Sequence, residues 1–528
     1  MKKSALIISL LAVALIVAPA CALSDLVSPP SLPTESPPTT YPEPPRRATP
    51  ALQEPSVVAP QMDAAPQSAA DSAQPSLAQR QLFVSPLGND KNPGTRQQPW
   101  ASPGYASRQL QPGDELVILP GRYVLREYDA DVLTPPSGTA DAWIHIRGEG
   151  GDAPGSRPVL AGRQNLLTAI NLSGVHYVHI ENLEITHDEQ AQGEEGFFRD
   201  GVQIMEQPAS HVVLKDLYIH HLDEFGMNFQ DVQDLQIHNA RIEYAGFGAL
   251  GGPAGVQGGW RGVLISGGEF SYSGQYYQGG DGTERPYDRP DGLGVEDSAG
   301  PLEIENARFE HNRGDGLDSK VATTIVRRTI IANNSCDGLK LWGTHSRIEN
   351  TLIYGRGDGV PEKTPWSALV IASAQPGARH ELVNLTVDDI LGGNYLIHVQ
   401  YDQPEVPITL DVRNSIFRSE GPSSSLFVAK SVDFVSEHNL FYLPQSECVL
   451  TRAEEGCELT QEGINTLGKA SLYTAPLFMN PTWGEEGDYH LQPDSPARKS
   501  GTPEGAPPDD LDGKPRQTPP DRGVYEMD

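Results

Sequence analysis

Three segments hold the residue types best suited to chemistry. They are Asp291-Gly292-Leu293-Gly294-Val295-Glu296, Asp315-Gly316-Leu317-Asp318-Ser319-Lys320 and Asp337-Gly338-Leu339-Lys340-Leu341-Trp342, offset by 24 and 22 residues. If each is a strand in a successive coil, side-chain alternation puts Leu293, Leu317 and Leu339 inside, with Val295, Ser319 and Leu341. The outward columns are then Gly294–Asp318–Lys340 and Glu296–Lys320–Trp342, beside a turn column Asp291–Asp315–Asp337. Carboxylates stacked about 5 Å apart repel one another unless protonated or bridged by a cation. A hard divalent ion with oxygen ligands, calcium by preference, would relieve that repulsion. Asp-Gly is equally ordinary turn chemistry, repeated because the coil repeats. Lys340 has two readings: a general base if its pKa is lowered, or the partner of Asp318 in a surface ion pair. Lys320 is a weaker alternative base.

Such columns need a repeating scaffold, and one is visible. An aliphatic residue, a spacer, usually Asn or Asp, two more residues and an apolar one recur along the chain. Copies include Ile180-Glu181-Asn182…Ile185, Leu214…Asp216…Ile219, Ile237-His238-Asn239…Ile242, Ile304-Glu305-Asn306…Phe309, Val326…Arg328…Ile331 and Ile348-Glu349-Asn350…Ile353. The tightest spacings are 22 and 23 residues, and Leu382…Asn384…Val387 and Val412…Asn414…Phe417 continue the series. Short alternating strands broken by Gly, Asp and Asn at this period predict an all-β fold, a right-handed parallel β-helix. A leucine-rich repeat shares the period, but its leucine framework is absent. The recurrent Asn is expected at a turn, stacking into a ladder.

Composition agrees with that scaffold. Among 528 residues, 53 Gly and 46 Pro argue against a helical bundle. A net charge of −31 argues against nucleic acid as a partner. Lys2 and Lys3, the apolar run Ala5–Val17 and Ala18-Pro19-Ala20-Cys21 predict a secretory signal over residues 1–21. The Ala-Cys junction resembles a bacterial lipoprotein signal, so either Cys21 carries a lipid or the mature chain is plainly secreted. A membrane attachment would then run only through Cys21. Residues 22–80 hold 13 prolines among Ser, Thr, Ala and Gln, and predict a disordered tether. Residues 81–528 form the expected β-helix domain, with an N-terminal cap over 81–165 and a closing segment over 445–528. Nothing points to oligomerisation, so a monomer is expected.

Leu82-Phe83-Val84-Ser85-Pro86-Leu87-Gly88-Asn89-Asp90, Asn92-Pro93-Gly94-Thr95 and the run from Leu110 to Tyr123 resemble the opening of secreted bacterial β-helix proteins. That opening is common in the family nine polysaccharide lyases, relatives of the pectate lyases, and the tail from Asp488 to Glu526 resembles their closing segment. The resemblance implies an exported or envelope-surface bacterial protein acting on acidic polysaccharide. Position by position, it implies that Asp291, Asp315 and Asp318 are calcium (Ca2+) ligands and that Lys340 is the base of a β-elimination. Gly314 stands where that family's pattern has a further Asp, which Asp337 could replace, and Leu stands for an aromatic residue in two coils. Trp342 would stack on a sugar ring or pack under a loop. Arg347 and Arg356 would hold a neighbouring uronate or remain solvated, and the insertion Tyr272–Pro290 would wall the cleft. Cys448 and Cys457, closing a short loop in an exported protein, predict a disulfide.

Other functions also fit the sequence. A polygalacturonase-like hydrolase needs opposed carboxylates, and Asp388-Asp389 and Asp509-Asp510 fall in expected turn or tail contexts. A uronate epimerase needs a second acid, for which His345 is the candidate. A non-catalytic glycan-binding or adhesin-like β-helix is the alternative outside enzymes, favoured by the acidic balance.

Overall fold

The computed structural model describes residues 80–528, apart from 152–155, 192, 276–289, 357–366, 390–394, 422–424, 453–455 and 483–486, and apart from the side chains of 194 and 356. The expected signal, the tether, Cys21 and most of the Tyr272–Pro290 insertion lie outside the described residues.

The repeat produces the architecture directly. Ile180, Leu214, Ile237, Ile265, Ile304, Val326, Ile348, Leu382 and Val412 are in-register partners on consecutive parallel strands. All are buried. The apolar residue five positions on does the same in a second sheet, from Ile185 through Ile219, Ile242, Phe270 and Phe309 to Ile331, Ile353, Val387 and Phe417. A third column, Val202, Met227, Leu250, Leu293, Leu317, Leu339, Leu369, Ile397 and Leu426, completes the triangle. Among the described residues, sheets of thirteen, thirteen and twelve strands therefore wind as a right-handed parallel β-helix. One apolar core extends from Leu82 to Ile464 between them.

The recurrent Asn has a backbone cause. Asn182, Asn239, Asn306, Asn350, Asn384 and Asn414 all adopt φ between 47° and 57°. This left-handed corner joins the first sheet to the second, and Asn tolerates it best after Gly. Gly267 takes the same corner at φ 72°. Their side chains do not form the unbroken ladder expected from sequence. Asn414 Nδ2 does reach Asn384 Oδ1 and Asn239 Nδ2 reaches Asp216 Oδ1, both at 3.3 Å, while Asn182 donates to Gly148 O at 2.9 Å. For the last three of the six, the principal acceptors lie in the C-terminal segment. Asn350 donates to Asp509 O at 2.7 Å, Asn384 to Asp521 O and Gly523 O at 3.0 and 3.1 Å, and Asn414 to Thr502 O at 2.8 Å. The tail thus runs back along this corner at Asn350, Asn384 and Asn414 and takes up their amide donors.

At the N-terminal end, the short helix Pro103–Arg108 packs Ala106 into the core, and the third sheet begins only at Leu166. Near the other end, Cys448 and Cys457 are joined by a disulfide across an antiparallel strand pair.

Candidate functional site

The three Asp-Gly segments enter the third sheet on successive coils, with Leu293, Leu317 and Leu339 in register beneath them. Gly294 pairs with Asp318, and Asp318 with Lys340, which forms one outward row. The turn aspartates are linked through the backbone. Asp291 Oδ1 accepts the Asp315 N–H at 2.7 Å, Asp315 Oδ1 the Asp337 N–H at 2.8 Å, and Asp337 Oδ1 the Ser367 N–H at 2.9 Å. Each carboxylate therefore satisfies a buried donor of the next coil, so the turn reading of these residues describes real contacts. The glycine that follows is a steric requirement. A Cβ on Gly316 would stand 2.5 Å from Ile331 Cγ2 and 2.7 Å from Gly338 O.

One oxygen of Asp315 serves the ladder, and the second meets Lys340. Lys340 Nζ lies 3.2 Å from Asp315 Oδ2 and 3.1 Å from Asp318 Oδ2. Lys340 is only 7% exposed, so the surface ion pair expected for it is instead a buried one bridging two coils. Burial alone would lower its pKa, but Asp315, Asp318, Asp337 and Asp291 raise it more, and the ammonium is held firmly protonated. Lys320 points to the rim, with Nζ 2.6 Å from Glu296 Oε1 and 4.0 Å from Asp318 Oδ2.

Asp291, Asp315 and Asp318 each present a carboxylate oxygen within 4.8 Å of the others. Burial, followed by the charges of Asp315 and Asp318, pushes the Asp291 pKa well up. Burial likewise raises Asp315, against the pull of Lys340. Asp318 Oδ1 is buried with no hydrogen-bond partner among the described residues. Three crowded carboxylates against one ammonium, with an orphaned oxygen among them, suit a hard divalent cation with oxygen ligands. Asp337 lies one coil further along and groups with Asp315, not with the triad that could share one ion.

Two expected substrate residues are displaced. Past Trp342 the chain turns the corner at Gly343 into the first sheet, so Arg347 lies on strand His345–Glu349 and faces away from the aspartates. Its guanidinium is committed to Glu349 at 2.8 Å, Glu381 at 2.9 Å and Gly505 O at 3.0 Å. Arg356 falls in the second sheet, opposite Asn334, and its side chain is outside the described residues. Trp342 stays beside Lys340, half-buried, with its indole N–H buried and without a hydrogen-bond partner among the described residues. His345 is exposed on the first sheet, so the second acid of an epimerase is not there. Asp388 and Asp389 lie in a strand rather than a turn and are fully buried. Asp388 is clamped by Arg418 at 2.8 Å and Tyr489 at 2.9 Å.

Sequence reasoning passed over three groups near the site. Asp200-Gly201 is a further Asp-Gly in the same turn position, with Asp200 Oδ1 accepting the Phe225 N–H at 3.0 Å. Its burial lifts its pKa to about 7. Asp402 follows the strand Tyr395–Val399, and burial raises its pKa while Lys340 opposes the shift. On the outward row two coils beyond Lys340, His398 packs among Tyr395, Phe427 and the half-exposed Tyr401. The Asp-Gly pattern could have found the first, whereas the aromatic group has no comparable signature.

The fold and this row define a class: a solenoid whose third sheet carries stacked carboxylates and a buried lysine on its outer face. Residues 82–248 match a family model described as Pel9A-like, right handed beta helix region, and the chain resembles those proteins. The match ends before Asp291, so it speaks for the coils and not for the aspartate–lysine row. Among solved structures, a complex of XylC with xylose superposes with a TM-score of 0.53 at 10% identity, over 85% of this chain and 98% of that one. Pectate lyase Pel9A gives 0.46 at 16% identity, over 85% and 97%. The AlgE6 A-module, a mannuronan C-5 epimerase of Azotobacter vinelandii, gives 0.47 at 12% identity, over 69% and 91%. At these identities the likeness is one of fold. No curated protein sequence matches.

Proposed function

We propose that the protein is an exported bacterial polysaccharide lyase that cleaves uronate-containing polysaccharide by β-elimination, with calcium held by Asp291, Asp315 and Asp318. The observation that carries this reading is the seating of Lys340 Nζ between Asp315 and Asp318 on the outward row of the third sheet. When bound, calcium would neutralise the substrate carboxylate, acidify the neighbouring C-5 proton and take up the carboxylate charge that now keeps Lys340 protonated. Neutral Lys340 removes the C-5 proton as general base. The C–H electron pair becomes the C-4–C-5 double bond, and the C-4–O bond breaks with its pair on the departing glycosidic oxygen, which is protonated from solvent. The products are a shortened chain and an unsaturated uronate. Trp342, half-buried next to the row, provides an apolar face for the sugar.

A net charge of −31 opposes the approach of a polyanion, so cation dependence is expected in binding as well as in chemistry. The test is the absorbance of unsaturated uronate from polygalacturonate, alginate and mixed uronate polymers, with calcium and with chelator. A calcium-dependent rise on one of them supports the reading, and no rise on any polymer overturns it. The buried ion pair favours one other reading, a non-catalytic glycan-binding β-helix in which Lys340 stays an ammonium and pairs with a substrate carboxylate. Polymer binding without unsaturated product would select it.

A further inference from the structure

The outward row of the third sheet does not end at the aspartates. Going back through the coils, Asp318 is followed by Gly294, Gly251, Asn228, Gln203 and Asn171, each in register with the next. The two glycines make a low floor. A Cβ at Gly294 would stand 2.9 Å from Asp291 Oδ2, and one at Gly251 would stand 2.8 Å from the Phe225 ring. Beyond them the row rises into a cleft of about 310 Å³ lined by Tyr128, Leu167, Asn171, Gln203, Glu206 and Gln207 among others. Gln203 lies four coils from Asp318, or about 19 Å at the usual strand spacing.

The chemistry of this cleft differs from that of the aspartates. Gln203 is 9% exposed, and its amide oxygen is buried without a hydrogen-bond partner among the described residues, as is that of Asn228 beside it. Native proteins leave few such groups unpaired, and a terminal amide torsion turns easily toward a new donor. Tyr128 and Leu167 are each 37% exposed at the mouth. Asn171 is held by Tyr128 and by Ser173, whose hydroxyl donates to Asn171 Oδ1 at 2.6 Å. Among the described residues, Glu206 is the one charged side chain that lines the cleft, so a carboxylate would be repelled there. Amides with an aromatic and an aliphatic surface suit the hydroxyls and apolar faces of an uncharged sugar.

We propose that this cleft is a distal subsite for an uncharged sugar of the same polysaccharide chain whose uronate lies over Asp318 and Lys340. The substrate is then a mixed polymer, uronate interspersed with uncharged sugars, and chains too short to span about 19 Å bind weakly. This inference rests on the reading of the aspartate–lysine row as a polysaccharide site.

The test measures binding by calorimetry of rhamnogalacturonan, glucuronoxylan, polygalacturonate and tri-galacturonate to the wild type, Gln203→Ala and Leu167→Ala, with calcium present. Both substitutions are expected to weaken binding of at least one mixed polymer by about tenfold and to leave tri-galacturonate unchanged. Leu167→Ala alters an exposed side chain, so it tests the cleft without endangering the fold. Equal affinity of the wild type and both variants for every mixed polymer, an equal loss on tri-galacturonate, or no binding of a mixed polymer to the wild type would overturn the proposal. Failure of the elimination reading is separate, because it appears as absence of unsaturated product whatever the variants bind.

Discussion

The first and third sheets are built by the same coils at the same spacing, yet their outer faces treat charge in opposite ways. On the first sheet, charges of opposite sign pair with one another, within strands and between neighbouring coils. Arg327 meets Glu303 and Glu349, Arg347 meets Glu349 and Glu381, and Arg413 meets Asp411 and Glu437. These pairs are largely half-exposed. On the third sheet, Asp291, Asp315 and Asp318 crowd together against the Lys340 ammonium, with Lys320 4.0 Å from Asp318 at the rim, and Asp315, Asp318 and Lys340 are buried. A solenoid stacks whatever it repeats, so neutral ladders come readily. A like-charged buried cluster persists against its own repulsion, and the physical remedy for it is a ligand.

The largest difference between the faces should appear on removing one cation from each. Lys340→Met leaves two buried carboxylates unpaired, and urea unfolding in chelator should show a loss of about 3–5 kcal/mol. Excess calcium should restore part of it. Arg347→Met removes half-exposed pairs and should cost less than about 1 kcal/mol in the same measurement. Equal losses would erase the contrast.

Acid sharpens the comparison from the first sheet's side. His380 is fully buried there, and burial lowers its pKa to about 4. The unfolded chain binds this proton near pH 6.5, so stability is intact above that pH and falls as pH drops toward 4. At pH 5 this amounts to about 2 kcal/mol. His380→Gln should flatten that part of the stability profile, and an unchanged slope would refute the assignment.

A smaller effect concerns the ion itself. Asp318→Asn keeps the shape of the site and removes one charge, so calcium affinity measured by titration should weaken about tenfold or more. No change would remove Asp318 from the ligand set.

Much of this could be read from the residues alone. The Ile180–Val412 column and the offsets between Asp291, Asp315 and Asp337 predict the sheets and the register, because alternation and period are local properties. What escaped depends on where the chain turns corners. Arg347 is five residues past Trp342, yet the corner at Gly343 moves it to another face. Alternation also marks Lys340 as outward, and outward here still means buried. Asp200-Gly201 went unnoticed because Phe225 and Gly248 occupy the Asp position in the two intervening coils. The tail's hold on Asn350, Asn384 and Asn414 joins residues more than 80 positions apart, which no repeat pattern encodes.

The central claim is that Lys340 takes the C-5 proton, and the direct measurement is the rate of unsaturated product formation by Lys340→Ala on the polymer the wild type cleaves. Polymer binding is measured alongside it, with saturating calcium. The account predicts a fall of about a thousandfold or more in rate with binding retained. A variant that still forms unsaturated product at close to the wild-type rate would contradict it.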